Sequence, residues 1–170
     1  MTFRRAGLAV ATAAAALSLV GCQAGRNAQT SQDYSPVDGR NINVPADAGP
    51  RDPFVAIRGA IIVANGSGQA ALLATVRNKT DETETLVSVA VDDAPGAIDG
   101  GSIVIEPGRS VAIGEPGGAQ VSWSDLGVAA GTWVTLTMQF GTAGTVTRDV
   151  LVVANTGIYA DVPIGIYTLS

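Results

Sequence analysis

The sequence predicts an all-β domain, an antiparallel β-sandwich of about seven or eight strands with an immunoglobulin-like or cupredoxin-like architecture. Two observations support this fold class. Short runs of alternating apolar and polar residues recur between Phe54 and Val153, separated by clusters of Gly, Pro, Asn and Asp. No segment after the first 21 residues keeps the 3.6-residue period of an amphipathic helix.

The first half of this region predicts three strands, with a β-bulge expected at Gly59 inside the first of them. Each strand is marked by apolar residues of one parity: Val55, Ile57, Ile61 and Val63; Ala70, Leu72, Ala74 and Val76; and Val87, Val89 and Val91. A polar turn at 78–84 separates the second strand from the third.

Residues 92–101 have the composition of a loop, and three short apolar runs follow at 103–105, 111–113 and 121–123. The turns between these runs both contain Glu-Pro-Gly, at 106–108 and 115–117. Pro fits a φ near −65° and Gly fits a positive φ, so both sequences predict type II turns.

The clearest strand is 132–140, where Val134, Leu136, Met138 and Phe140 are expected to face the core. The opposite face would then carry Trp133, Thr135, Thr137 and Gln139, with Thr145, Thr147 and Asp149 on the neighbouring strand 145–153. A flat polar face with one aromatic ring suits a glycan or a partner protein. The same pattern is typical of a solvated strand with a Trp that covers the sandwich rim.

The first 21 residues have the parts of a bacterial export signal: Arg4 and Arg5, an apolar run at 6–20, and small Gly21. The sequence Leu-Val-Gly before Cys22 resembles the lipobox of bacterial lipoproteins, which are cleaved before a lipidated cysteine. The apolar run is too short to span a bilayer. We therefore predict an extracytoplasmic protein anchored to the cell membrane through lipid on Cys22. An ordinary secretory signal and a twin-arginine export route remain alternatives.

Four segments follow from these patterns: the signal peptide 1–21, lipidated Cys22 with a flexible linker at 22–52, the sandwich 53–153 and a C-terminal tail 154–170. The tail mixes apolar residues with Gly and Pro, which leaves open a disordered end, a docking segment or one more edge strand. The net charge of −5 argues against nucleic acid as a partner.

The residue content restricts the possible chemistry. The chain has no His and one Cys, so Ser-His and Cys-His pairs cannot form. Lys79 is the only lysine and lies beside Asp81 and Glu82, which would keep it protonated. The acidic loops 81–84 and 92–99 lack the ligand spacing of a known calcium loop, and solvated charge explains them. We predict no catalytic residue and no cofactor.

Three segments resemble the PCuAC family of periplasmic copper chaperones. They are 74–80 with 84–89, then 105–111, then 131–140 with 143–147. The resemblance implies the family's β-sandwich. PCuAC proteins bind copper through His and Met, including a His-x-Met element after a Gly-Gly turn.

The sequence departs from the family at these ligands. After Gly117 and Gly118 the aligned residues are Gln120 and Ser122, and the segment of the earlier ligands is shortened to 92–102. Cu(I) prefers thioether or thiolate ligands, with imidazole as another common choice. We therefore predict no metal site, and a non-enzymatic binding or assembly module of the envelope with a protein or glycan partner. Copper or other metal handling through non-standard ligands is the alternative.

Overall fold

The computed structural model describes residues 39–49 and 51–164. These residues form eleven strands and one 3-10 turn at Gly157–Tyr159. The strands are β1 Arg40–Val44, β2 Val55–Ala64, β3 Ala70–Asn78, β4 Glu84–Val91, β5 Ala94–Pro95, β6 Ala97–Ile98, β7 Ile103–Ile105, β8 Ser110–Ile113, β9 Val121–Trp123, β10 Trp133–Phe140 and β11 Gly144–Ala154. The all-β class predicted from the sequence is confirmed.

The strands form two layers that share β11. In the β10 sheet, β4 pairs with β10 on one side and with β5 and β7 on the other, and β10 pairs with β11. In the β2 sheet, β2 pairs with β1, β3 and β11, while β3 pairs with β8 and β9, and β9 pairs with β6. All of these pairings are antiparallel except one.

The exception is the pairing of β11 with β2, which is parallel over residues 152–154. The earlier part of β11 pairs with β10 in the antiparallel sense. At eleven residues β11 is long enough to leave one layer and enter the other. The sequence prediction of a purely antiparallel sandwich is corrected at this point, because alternation within a strand does not report its partner's direction.

Strand β1 corrects the predicted boundary between linker and sandwich. Residues 40–44 fall inside the predicted linker 22–52, yet they pair with β2 and bury Ile42 and Val44, which are 5% and 1% exposed. Polar Asn41 and Asn43 alternate with these side chains, so the composition of residues 40–44 is similar to that of the predicted flexible linker. The sandwich therefore begins before residue 53.

The β-bulge predicted at Gly59 is confirmed, and it changes which residues face the core. The register of β2 shifts between Arg58 and Ile61, and Gly59 has a φ of +64°. Val55 and Ile57 lie in the core before the shift, whereas Ile62 lies in the core after it. Ile61 and Val63, which have the parity predicted for this strand, are also buried, at 2% and 0% exposure. Beyond Gly59 both faces of β2 are therefore buried, and the residue added by the bulge places Ile62 in the main core cluster.

Beyond β11 the chain forms a turn that Asn155 holds together. The Asn155 backbone N–H donates to the Ala64 carbonyl at 3.0 Å, and its side-chain amide donates to the Tyr159 carbonyl at 2.6 Å. The predicted signal peptide, Cys22 and residues 165–170 lie outside the described residues. No helix within the described ranges has the length and apolar content needed to cross a membrane.

Candidate binding surface and the copper-site region

The outward face of β10 is arranged as the sequence predicts. Val134, Leu136, Met138 and Phe140 are buried in the core. Trp133, Thr135, Thr137 and Gln139 take the alternate positions, and Trp133 is 61% exposed. Their partners on β11 are those expected, since Thr135 pairs with Asp149, Thr137 with Thr147 and Gln139 with Thr145. We call these seven residues, together with Ser88 of β4, the hydroxyl face.

Polar side chains of the hydroxyl face are hydrogen-bonded in pairs across the strands. The Thr137 and Thr147 hydroxyl oxygens are 3.1 Å apart. The Thr135 hydroxyl donates to Asp149 Oδ1 at 3.3 Å, and the Ser88 hydroxyl donates to Gln139 Oε1 at 3.2 Å. Each hydroxyl has one donor and two acceptor sites, so a pairwise bond leaves capacity for a further partner.

Asp92 ties the β4–β5 turn to the hydroxyl face. The Thr135 N–H donates to Asp92 Oδ1 at 2.8 Å, and the Asp92 N–H donates to the Thr135 carbonyl at 2.9 Å. Asp92 and Asp93 both have positive φ, 46° and 68°, as a two-residue hairpin turn requires. Composition predicted only a solvated loop here. The two polar residues between Val91 and Ala94 were the signal for a hairpin.

The two residues aligned with the family's His-x-Met element have structural roles in this chain. The Gln120 side-chain amide donates to the Glu115 and Gly118 carbonyls, at 2.9 and 3.3 Å. Ser122 is 6% exposed and pairs with Ala71 of β3 and Ala97 of β6. Neither residue has a side chain of the type that Cu(I) prefers.

Trp123 fills the space next to these positions. Its side chain is 4% exposed, and its indole N–H donates to the Ala94 carbonyl at 3.0 Å. Gly96 lies against the indole so closely that a Cβ there would come within 2.7 Å of Trp123 Cζ2. A cavity of about 210 Å³ remains beside it, lined by small or oxygen-bearing residues such as Ala97, Ser124 and Asp125.

The soft donor of the β10 strand is not exposed to a metal ion. Met138, the only Met after the predicted signal peptide, is fully buried in the core, as its parity predicts. Within residues 39–49 and 51–164, no three His, Cys, Asp or Glu side chains come close enough together to hold a metal ion. The donors around the cavity are hydroxyl, carboxylate and carbonyl oxygens, which suit hard cations more than Cu(I).

Glu84 is a structural carboxylate that the sequence prediction assigned to a solvated loop. It is 2% exposed. Its Oε1 accepts N–H bonds from Thr85 and Thr142 at 2.8 and 3.0 Å, and its Oε2 accepts one from Ala143 at 2.6 Å. Burial opposes ionisation, but these backbone N–H groups outweigh it and lower the pKa of Glu84 below its usual value. The prediction for residue 84 is therefore corrected.

Asn78 connects the same end of the sandwich to β7. Its side chain is fully buried, and its amide donates to the Glu82 and Ile105 carbonyls at 2.7 and 2.9 Å. Its Oδ1 accepts from the Thr80 N–H and hydroxyl. All of its polar atoms therefore have partners, which explains why a polar residue is tolerated in the core.

Comparison with solved structures identifies proteins with a similar fold. The apo PCuAC domain from PmoF1 matches with a TM-score of 0.52 and 24% identity, over 59% of this chain and 93% of that chain. The copper-bound PCuAC domain from PmoF2 matches with a TM-score of 0.48 and 26% identity, over 59% of this chain and 92% of that one. No protein-family model and no curated protein sequence matches. The predicted resemblance to PCuAC domains is therefore supported, and the chain has their β-sandwich fold.

Proposed function

We propose that this chain is a non-enzymatic binding module of the cell envelope, held on the extracytoplasmic side of the membrane by lipid on Cys22. One observation carries the binding function. The hydroxyl face is open to solvent among the described residues, with Trp133 61% exposed, whereas the residues aligned with the family's His-x-Met element, Gln120 and Ser122, make structural contacts. The chain has the PCuAC-like fold but lacks the His and Met ligands of that family. We therefore assign contact with another molecule to the exposed hydroxyl face and not to a metal site.

Copper handling is the second candidate, and the structural comparison supports it more directly than it supports a general envelope module. The PmoF1 domain shares the fold and is named for the PCuAC family, and three segments of this sequence resemble that family. In this function the metal would be held by oxygen ligands or by ligands of a partner protein. The donor chemistry around Trp123 favours the first candidate.

Copper titration separates the two functions. We expect mature protein, purified in detergent, to bind neither Cu(I) nor Cu(II) stoichiometrically at micromolar concentration, because the sandwich has no His, no free Cys and no exposed Met. Competition with a chromophoric chelator measures this. Stoichiometric binding that survives the chelator would establish the second candidate and remove the first.

Photocrosslinking in cells tests the binding face directly. A photoreactive amino acid at Thr137 should give crosslinked species in the envelope. The same residue at Ser67, which is exposed in the turn between β2 and β3, should not. Equal crosslinking from both positions would show that the hydroxyl face is not the contact surface.

The anchor has its own test. Cys22→Ala should leave the chain uncleaved or release it from the membrane, and Ser31→Ala in the adjoining segment should change neither property. Membrane fractionation and the apparent mass of the chain measure both. Normal cleavage and fractionation of Cys22→Ala would refute the lipid anchor.

A further inference from the structure

We propose that the hydroxyl face binds an uncharged glycan chain, which lies along β10 with one sugar ring stacked on Trp133. This inference rests on the proposed function and names its ligand class. It follows from the charge of the face, the spacing of its polar groups and the placement of its exposed apolar residues.

The charge of the face disfavours polyanions. None of its outward positions on β4, β10 and β11 carries Lys or Arg, and the guanidinium of the adjacent Arg148 is bonded to the Thr147 carbonyl at 2.8 Å. Asp149 belongs to the face, and Asp92 lies beside it against Thr135. Sulfated or phosphorylated polymers would be repelled by these carboxylates, whereas the hydroxyl groups of a neutral sugar can donate hydrogen bonds to them.

The polar groups are ordered and repeat along the strand. Outward residues two positions apart are separated by about 6.7 Å, so the row from Trp133 to Gln139 spans about 20 Å, which is enough for several sugar rings. The contacts between Thr137 and Thr147 and between Ser88 and Gln139 hold these side chains in place before any ligand arrives. Groups that are already ordered lose little entropy on binding.

The exposed apolar residues distinguish a glycan from a protein partner. Protein interfaces have an apolar centre and a polar rim. The uncovered surface of the β10 sheet has the opposite arrangement, since Trp133, Val87 and Val104 are 61%, 40% and 55% exposed and lie towards its ends, while the threonines occupy its middle. An indole at the end of a hydroxyl row offers a flat apolar surface for a sugar ring.

Affinity electrophoresis of the mature protein in detergent tests this proposal. Gels would contain dextran, soluble mannan or arabinogalactan as neutral polysaccharides, and dextran sulfate as the charged comparison. We expect at least one neutral polymer to retard the protein and dextran sulfate not to do so. Trp133→Ala and the double variant Thr137→Val with Thr147→Val should each weaken the retardation at least tenfold.

Thr75→Val is the matched control, because Thr75 is an exposed threonine on β3 of the other sheet. It should leave the retardation unchanged, and thermal unfolding would confirm that every variant is folded. Absence of retardation by all three neutral polymers, or unchanged retardation of Trp133→Ala, would overturn the glycan proposal. Crosslinking of Thr137 to a protein alone would also overturn it, while the proposed binding module would stand.

Discussion

The two tryptophans lie in regions that differ in packing and in exposure to solvent. Trp123 is 4% exposed, its indole N–H is bonded to the Ala94 carbonyl, and Gly96 packs against its ring. Trp133 is 61% exposed at the end of a row of hydroxyl groups. In the first region a large aromatic side chain is packed into the interior of the domain. The second shows a surface that the fold orders without covering.

Among the substitutions that test this difference, Trp123→Ala should change the free energy of unfolding most. We expect it to destabilise the domain by about 3 to 5 kcal/mol, because a large buried side chain leaves a cavity and the Ala94 carbonyl loses its donor. Chemical denaturation measures the change in the free energy of unfolding. A loss below about 1 kcal/mol would mean that the Trp123 region is not packed as described.

Glu84→Gln tests whether polar groups remote from both tryptophans hold the fold. We expect a loss of about 1 to 3 kcal/mol near neutral pH, since three N–H bonds to a buried carboxylate are weakened. The pKa of Glu84 is lowered in the folded state. Its contribution is therefore present above the unfolded-state pKa of about 4.3 and disappears as the pH falls through the lower folded-state value.

Unfolding curves recorded from neutral to acidic pH measure this effect. The wild type should lose more stability on acidification than Glu84→Gln does. Glu82→Gln, an exposed residue of the same loop, is the control and should follow the wild type. Parallel curves for wild type and Glu84→Gln would contradict the assignment.

Asp93→Gly should act in the opposite direction and raise stability by about 0.5 to 1 kcal/mol, because Gly adopts the positive φ of this turn without steric cost. The same substitution at Asp99, which lacks a positive φ, should bring no gain. The melting temperature distinguishes the two variants. A lower melting temperature for Asp93→Gly would show that its side chain stabilises the turn.

Trp133→Ala should have the smallest effect, below about 0.5 kcal/mol, because the ring is largely in solvent. Fluorescence provides a second measurement, since the chain has two tryptophans. In a Trp123→Phe variant the remaining emission should be red-shifted and easily quenched by acrylamide. Blue-shifted emission that acrylamide quenches poorly would show that Trp133 is buried, which would contradict its described exposure.

The sequence predicted strands where alternation was regular. On β10, Val134 and Leu136 alternate with Thr135 and Thr137, so both the buried and the exposed face followed directly from period 2. The same rule was less informative after Gly59, because all five residues 60–64 are buried and period 2 does not distinguish the two faces there. The rule also missed β1, because this strand has only five residues, and two of them are asparagines, which are common in linkers.

Contacts between distant segments were beyond sequence reasoning. Nothing local in an acidic turn indicates that Glu84 accepts N–H groups from residues 142 and 143. The partner of the Trp123 indole likewise depends on how β9 lies against the β4–β5 turn. The lack of His, and of any Met other than Met138 after the predicted signal peptide, can be read without a structure. It predicts a departure from the family's copper ligands, and that prediction still awaits the copper titration.

The shared strand β11 has a consequence for how the domain is made. Residues 144–151 complete the β10 sheet and residues 152–154 complete the β2 sheet, so neither layer has its final neighbour until the last strand is available. A chain that emerges N-terminus first would wait for this strand before either layer could close, and long-range pairings of this kind slow folding. Both layers are therefore completed in one late step that needs nearly the whole domain.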